Sequence, residues 1–148
     1  MANYVLDKDM GFKVTLARLS SLHGSVKIGI FADAGSSKKG HASIAEYAAY
    51  NEFGTSHIPS RPFMRQTIDK YTSAWGQAAE AAEKRVADGM SPHQALELIG
   101  NIAEGHIKQT IGRGSFAPNA ANTIKQKGSS QPLIDTGAMR GAVRHEVE

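Results

Sequence analysis

The sequence of 148 residues contains no cysteine. This absence excludes disulfide bonds, thiol catalysis and zinc sites with cysteine ligands, and it is typical of proteins in a reducing compartment. Long apolar runs are also missing, and no stretch approaches the roughly 20 apolar residues of a membrane-spanning helix. Because the N-terminus lacks the apolar centre of a signal peptide, we expect the protein to begin its life in a cytoplasm.

Catalytic and metal-binding motifs are absent as well. The six histidines include no pair with H-x-x-x-H spacing, and neither HExxH nor G-x-S-x-G occurs. His93 and Glu97 are four positions apart, but two side chains do not make a metal site. We interpret His106, beside an apolar stripe, as a hydrogen-bonded histidine at the core edge. We expect no catalytic residue, no cofactor and no metal; the rival, a small hydrolase, would need dispersed His, Asp and Glu residues to form one pocket.

Charge is nearly balanced, with 17 Lys and Arg against 14 Asp and Glu and a net charge of +3. A nucleic-acid-binding protein usually carries a dense basic patch. Here the basic residues of the loops are far apart in the sequence: Lys38, Lys39, Arg113, Lys125, Lys127. We interpret the excess as ordinary surface charge and retain a nucleic-acid-binding module as an alternative. The length of 148 residues and the 41% of hydrophobic residues predict a single domain over residues 1–148.

Hydrophobic periodicity predicts a short strand at residues 4–6 and an N-terminal helix after it. Apolar residues of this helix recur at helical spacing: Phe12, Leu16, Leu19, Leu22. Residues 25–32 alternate between two faces, as in a strand with one buried face. Residues 138–147 predict a second, amphipathic strand. We expect the strands of residues 25–32 and 138–147 to pair.

Ser43 and Glu46 form a capping-box pattern, which starts a helix that ends near Phe53. Apolar residues at three- and four-residue steps then predict a long helix over residues 61–87, about 40 Å at ~1.5 Å per residue. Its buried stripe consists of Met64, Ile68, Tyr71, Trp75, Ala78, Ala79, Ala82, Val86. Asp88 and Gly89 break this helix.

Ser91 and Pro92 start the next helix, because serine is a good N-cap and proline fits the first helical position. Its stripe consists of Ala95, Ile99, Ile102, Ala103, Ile107, Ile111. The two long helices most simply form an antiparallel hairpin. Residues 33–42 and 112–131 predict two long mobile loops, with a short helix near residues 119–127. The predicted fold is α+β: a small antiparallel sheet packed against a long helical hairpin, with two long flexible loops.

Residues 51–65, which we call the strap, join two of the helices. Gly54 can supply the positive φ that ends a helix. Pro59 and Pro62 remove two backbone donors and favour extended conformations before them. A rigid loop of this kind presents a surface. Its aromatic residues either complete the core or anchor a neighbouring subunit, and its two arginines offer forked donors to carboxylates of such a partner.

The strap also carries a resemblance. Residues 50–55 read YNEFGT, residues 58–65 read IPSRPFMR and residues 132–140 read PLIDTGAMR. These segments are similar to the NEFGT…IPxRPFxR and PLxDTGxLR motifs of tail-completion and neck proteins of tailed bacteriophages, often labelled virion-morphogenesis or minor tail proteins. Further positions that fit the family, in the same order, are Asp7, Asp9, Gly11, Phe12 and the strand at residues 26–31.

The resemblance implies a structural, non-enzymatic virion protein with an α+β fold. Proteins of this family sit where the head connector or stopper meets the tail tube or tail terminator. Several copies form a ring, which the resemblance suggests is hexameric. The basic residues of the two loops would then be placed to face the DNA channel.

We assign the assembly contact to the strap and to residues 133–137, which we call the C-terminal turn. The predicted contact residues are Asn51, Glu52, Phe53, Gly54, Thr55, Ile58, Pro59, Arg61, Pro62, Phe63, Arg65, Asp135, Thr136, Gly137. On this hypothesis the strap and the C-terminal turn lie close together. An Arg61→Ala substitution is expected to block tail joining while leaving the fold intact.

Overall fold

The computed structural model describes residues 23–36 and 42–148. The predicted strand at residues 4–6, the predicted N-terminal helix and the family-like positions at residues 7–12 lie outside the described residues. So does the middle of the predicted loop at residues 33–42.

The described residues form an α+β fold of five α-helices and two β-strands. The helices are α1 (Ile44–Phe53), α2 (Phe63–Ala87), α3 (Pro92–Arg113), α4 (Ala121–Lys127) and α5 (Ala138–Gly141); the strands are β1 (Val26–Ile30) and β2 (Val143–Val147). A 3₁₀ turn at Ala32–Ala34 follows β1. None of the helices in the described part of the chain is long and apolar enough to cross a membrane.

Helix α1 begins with the capping box that the sequence predicts. The Ser43 hydroxyl accepts a hydrogen bond from Glu46 N at 3.2 Å, and the Glu46 carboxylate accepts one from Ser43 N at 2.8 Å. The helix ends at Gly54, whose φ of 77° requires glycine. A Cβ at Gly54 would also lie 2.9 Å from Ser60 N, so the strap folds back closely over the helix end.

Helices α2 and α3 form the predicted antiparallel hairpin and pack against each other more extensively than any other pair of described elements. With 25 residues, α2 is about 37 Å long at ~1.5 Å per residue. Ser91 caps α3 with Pro92 in the first turn, as expected. The hairpin register follows from cross-contacts: Tyr71 hydrogen-bonds Gln109, and Trp75 hydrogen-bonds His106.

Two residues of the predicted apolar stripes are exposed. Ile68 of α2 and Ile102 of α3 are exposed, whereas Thr67 is fully buried. Threonine can take the core position because its hydroxyl donates to Phe63 O at 2.7 Å, which satisfies the polar group within the helix. Near the start of α2, the buried face that apolar spacing predicts is therefore displaced by one residue from the observed one.

The two strands pair antiparallel, in the predicted order. Val26 is opposite Val147, and Ile30 is opposite Val143. The predicted second strand is, however, too long at its start. Residues 138–141 form α5, since Gly137 adopts a left-handed conformation with φ of 82° and turns the chain into one helical turn before β2.

The main core lies where α1, the start of α2, α3 and the sheet meet. Its buried members are Ala48, Phe63, Ile107, Ile111, Leu133, Met139, Val143. A smaller cluster near the turn of the hairpin contains Ala82, Val86 and Ala95. The predicted loop at residues 112–131 is partly helical: its first two residues belong to α3, and α4 occupies most of the predicted short helix.

Candidate assembly surface

Arg61 is the central residue of the strap and is only 6% exposed. Its Nη1 donates to Asn51 Oδ1 at 3.1 Å, its Nε donates to Ala117 O at 2.8 Å and its Nη2 donates to Pro118 O at 3.1 Å. One guanidinium group thus joins α1, the strap and the loop after α3. Because this guanidinium is buried and bonded within the chain, it offers no open fork to a partner, and its removal is expected to disturb the fold and not only tail joining.

Glu52, also 6% exposed, caps a helix other than its own. Pro62 precedes α2 and offers no capping side chain. The Glu52 carboxylate instead accepts hydrogen bonds from Met64 N at 2.9 Å and Arg65 N at 3.3 Å, and pairs with Arg65 Nε at 3.0 Å. An anion at this place satisfies free N–H groups and opposes the positive end of the helix dipole.

The predicted contact residues therefore fall into different groups. The buried ones, whose side chains are engaged within the chain, are Asn51, Glu52, Arg61, Phe63. The half-buried ones are Gly54, Ile58, Pro62, Gly137. The exposed ones are Phe53, Thr55, Pro59, Arg65, Asp135, Thr136. Only the last group is exposed enough to contact another molecule extensively.

The Thr55 hydroxyl has a local structural role. It accepts hydrogen bonds from His57 N at 3.1 Å and Ile58 N at 3.0 Å, which shapes the exposed bend of the strap.

The strap and the C-terminal turn reach the same part of the core. Leu133 at the start of the turn is buried in the cluster that contains Phe63. Lys127 lies near both segments: burial lowers its pKa, the Asp135 carboxylate raises it, and the Arg61 guanidinium lowers it. The net effect is a lowered pKa.

Three aromatic residues form the exposed side of α1, which we call the aromatic face. Tyr47 and Tyr50 are 39% and 41% exposed, and Phe53 is 74% exposed. At 3.6 residues per turn they cover a sector of about 120°, opposite the buried side that carries Ala48 and Asn51. The guanidinium of Arg65 lies 5.8 Å from the centroid of the Phe53 ring. Tyr47 and Tyr50 are not among the predicted contact residues, although their three-residue spacing with Phe53 is visible in the sequence.

A second cluster, which the sequence analysis missed, joins the sheet to α3. His145 of β2 lies between two carboxylates of α3, with Nε2 2.9 Å from Glu97 and Nδ1 2.7 Å from Glu104. The hydrogen bonds to Glu97 and Glu104 raise the pKa of His145, against the lowering effect of burial. Burial raises the pKa of Glu104, but its bonds to Lys108 and His145 outweigh this and lower it overall.

His106 is a hydrogen-bonded histidine at the core edge, as the sequence predicts. It stacks on Tyr71, with ring centroids 3.8 Å apart, and its Nδ1 accepts a hydrogen bond from Trp75 Nε1 at 2.9 Å. Burial, and then the charge of Lys70, lower its pKa. Within residues 23–36 and 42–148, no group of three or more His, Asp or Glu side chains is arranged to hold a metal ion.

Comparisons of the chain with protein-family models, with curated proteins and with solved structures found no match. The similarity to tail-completion proteins thus stands on the sequence motifs, chiefly residues 50–65 and 132–140, and it stays a prediction.

Proposed function

We propose that this chain is a structural subunit of the bacteriophage head–tail interface, where several copies form a ring that completes the tail and joins it to the head connector. The observation that carries the proposal is the 74% exposure of Phe53 on the aromatic face. Its place within the strap coincides with the segment that resembles the phage proteins. Its neighbours in assembly would be the connector or stopper and the tail-tube or terminator proteins.

The chemistry of the aromatic face suits a protein contact. Aromatic and arginine side chains are enriched among the residues that contribute most to binding between proteins. Tyr47, Tyr50 and Phe53 supply the aromatic area. The Arg65 side chain beside Phe53 is 57% exposed and adds a positive charge, although its Nε and Nη2 already donate to Glu52. In a closed ring, each subunit presents this face to a different surface of the next one.

The buried polar residues of the strap support this face and do not touch the partner. Arg61 and Asn51 fix the end of α1, and Glu52 fixes the start of α2 against it. Because the contact residues are held before association, less conformational entropy is lost when a partner binds. The strap, the segment that resembles the phage proteins, then contains two kinds of residue: supporting residues and contact residues alternate along it.

A Phe53→Ala substitution is expected to weaken ring assembly and tail joining by at least about tenfold, the effect of losing one aromatic anchor worth roughly 2 kcal/mol. Native mass spectrometry of the purified protein, alone and with connector or tail-tube protein, measures the first effect. Mixing of heads and tails measures the second. A matched control is Leu98→Ala, which truncates an exposed apolar side chain on α3. Unchanged assembly of the Phe53 variant, or equal loss in the control, contradicts the proposed face.

The alternative is a nucleic-acid-binding module of phage or prophage origin. It predicts affinity for duplex DNA that falls steeply as salt rises. A protein that stays monomeric with every neck component, yet binds duplex DNA in this way, would favour the alternative over a structural ring subunit.

A further inference from the structure

An open cleft of about 570 Å³ lies between α2 and α3 at the end of the hairpin opposite its turn. This volume falls within the range of roughly 300–1,000 Å³ that is usual for ligand pockets. The residues that matter for its chemistry are Gln66, Asp69, Lys70, Tyr71, Arg113, Ser115. None of them belongs to the strap or to the aromatic face.

Two cations line the cleft without a carboxylate partner. Among the described residues, neither Lys70 nor Arg113 forms an ion pair, whereas Lys27, Lys108 and Arg144 all do. Lys70 Nζ instead lies 5.2 Å from the centroid of the Tyr71 ring. Both cations are therefore available to a ligand.

Neutral donors are positioned beside these cations. Gln66 Nε2 donates to Ser115 O at 2.9 Å and holds the chain after α3 against α2. The N–H and hydroxyl of Ser115 have no hydrogen-bond partner in the described part of the chain. A guanidinium, an ammonium and an adjacent N–H and O–H together favour an oxyanion, because charge-assisted hydrogen bonds to phosphate are strong and arginine matches its geometry.

We propose that this cleft binds a phosphate group, with Arg113 and Lys70 as its charged contacts and Ser115 as a neutral donor. The phosphate comes either as a free anion or as part of a nucleic-acid backbone. Asp69 at the same cleft opposes binding by its charge, so its removal strengthens binding. The proposal does not depend on the role of the aromatic face.

The test compares two double variants with the same change in charge, and adds a third variant that removes a negative charge. Lys70→Gln combined with Arg113→Gln removes both contacts. Lys84→Gln combined with Arg85→Gln removes two exposed cations at the other end of α2 and is the matched control. Asp69→Asn is the third variant. All five positions are exposed, and the thermal midpoint of each variant checks that it folds.

Two ligands distinguish the sources of phosphate. Inorganic phosphate is titrated by calorimetry, and a fluorescent DNA duplex is titrated by anisotropy at several salt concentrations. We call the variant with both Lys70→Gln and Arg113→Gln the cleft variant. If the ligand is free phosphate, saturable binding disappears in this variant. If the ligand is the DNA backbone, the slope of log affinity against log salt falls by about two in magnitude. Asp69→Asn strengthens the same interaction, and the control leaves it unchanged. Absence of both interactions, or equal loss in the control, overturns the proposal.

His106 supplies an independent readout. Burial is the larger cause of the lowered pKa of His106, and the nearby charge of Lys70 lowers this pKa further. A phosphate bound at Lys70 offsets that charge, so the NMR titration midpoint of His106 rises when the ligand is added. In the cleft variant the midpoint is already higher, because the Lys70 charge is gone, and adding the ligand does not move it further. A ligand that binds without moving the His106 midpoint lies elsewhere and counts against the cleft.

Discussion

At the scale of single residues, the strap depends on a buried arginine without a counter-ion among the described residues. Arg61 uses three neutral oxygens, from Asn51, Ala117 and Pro118, as acceptors. Burying a charge is costly unless it is hydrogen-bonded, and here the three bonds offset that cost. The same bonds make removal expensive, because the three oxygens would lose their donor, and Asn51 Oδ1 would lose it in the interior.

An Arg61→Ala substitution is therefore expected to lower the free energy of unfolding by roughly 3 kcal/mol, as for other buried charged groups whose network is broken. Arg61→Lys should recover only part of this loss, since one ammonium group cannot reach all three acceptors. Urea denaturation followed by circular dichroism measures the change. The control is Arg140→Ala, an exposed arginine with one hydrogen bond at 3.2 Å, for which a change within about 0.5 kcal/mol is expected. Near-equal effects of Arg61→Ala and Arg140→Ala would mean that Arg61 does not hold the strap.

At the scale of elements, the sheet is held on α3 by close contact as well as by charge. The ring of His145 lies directly over Gly100, where a Cβ would be 2.2 Å from His145 Cδ2. Gly100 is helical and has no unusual φ, so the missing side chain serves the contact between α3 and β2. This glycine allows His145 to reach Glu97 and Glu104, which lie one turn to either side of it.

Two glycines of α3 allow a matched comparison. Gly100→Ala gains about 1 kcal/mol of helix propensity but forces the His145 ring to move, at a cost of roughly 1–3 kcal/mol, with loss of its carboxylate contacts. We expect a net loss of stability. Gly105→Ala meets nothing within 4 Å and should stabilise the protein by about 0.5–1 kcal/mol. Chemical denaturation of both variants measures the difference, and stabilisation by both would show that His145 does not require the space above Gly100.

At the scale of the whole molecule, the parts that could be predicted are those with local signals. The capping boxes, the glycine at the end of α1 and the stripes of the hairpin gave the main helices, and alternation gave the two strands and their pairing. The fold class is confirmed for the same reason. The burial of Arg61 and Glu52 has no local signal, because their acceptors and donors lie elsewhere in the chain. Polar residues in a loop predict an exposed surface, whereas tertiary contacts place Glu52 and Arg61 in the interior.

The stability of the whole molecule should depend on pH through two histidines with opposite shifts. His145 has a raised pKa, so the folded state binds its proton more tightly than the unfolded state does. Its contribution is complete below the ordinary value of 6.5 and is lost as the pH rises through the raised pKa. His106 has a lowered pKa, because burial, and then the charge of Lys70, disfavour its protonated form. Its contribution is complete above 6.5 and is lost as the pH falls through the lowered pKa.

The free energy of unfolding is therefore expected to be highest near the ordinary histidine pKa of 6.5 and to fall on both sides. Urea denaturation at closely spaced pH values measures this curve. His145→Gln should flatten the alkaline side, and His106→Gln should flatten the acidic side down to the range of the carboxyl groups. There, below about 4.5, the lowered pKa of Glu104 causes a further loss in either variant. Because each substitution affects one side, each serves as the control for the other. If the free energy of unfolding of the His145→Gln variant still falls at alkaline pH, another group causes that fall.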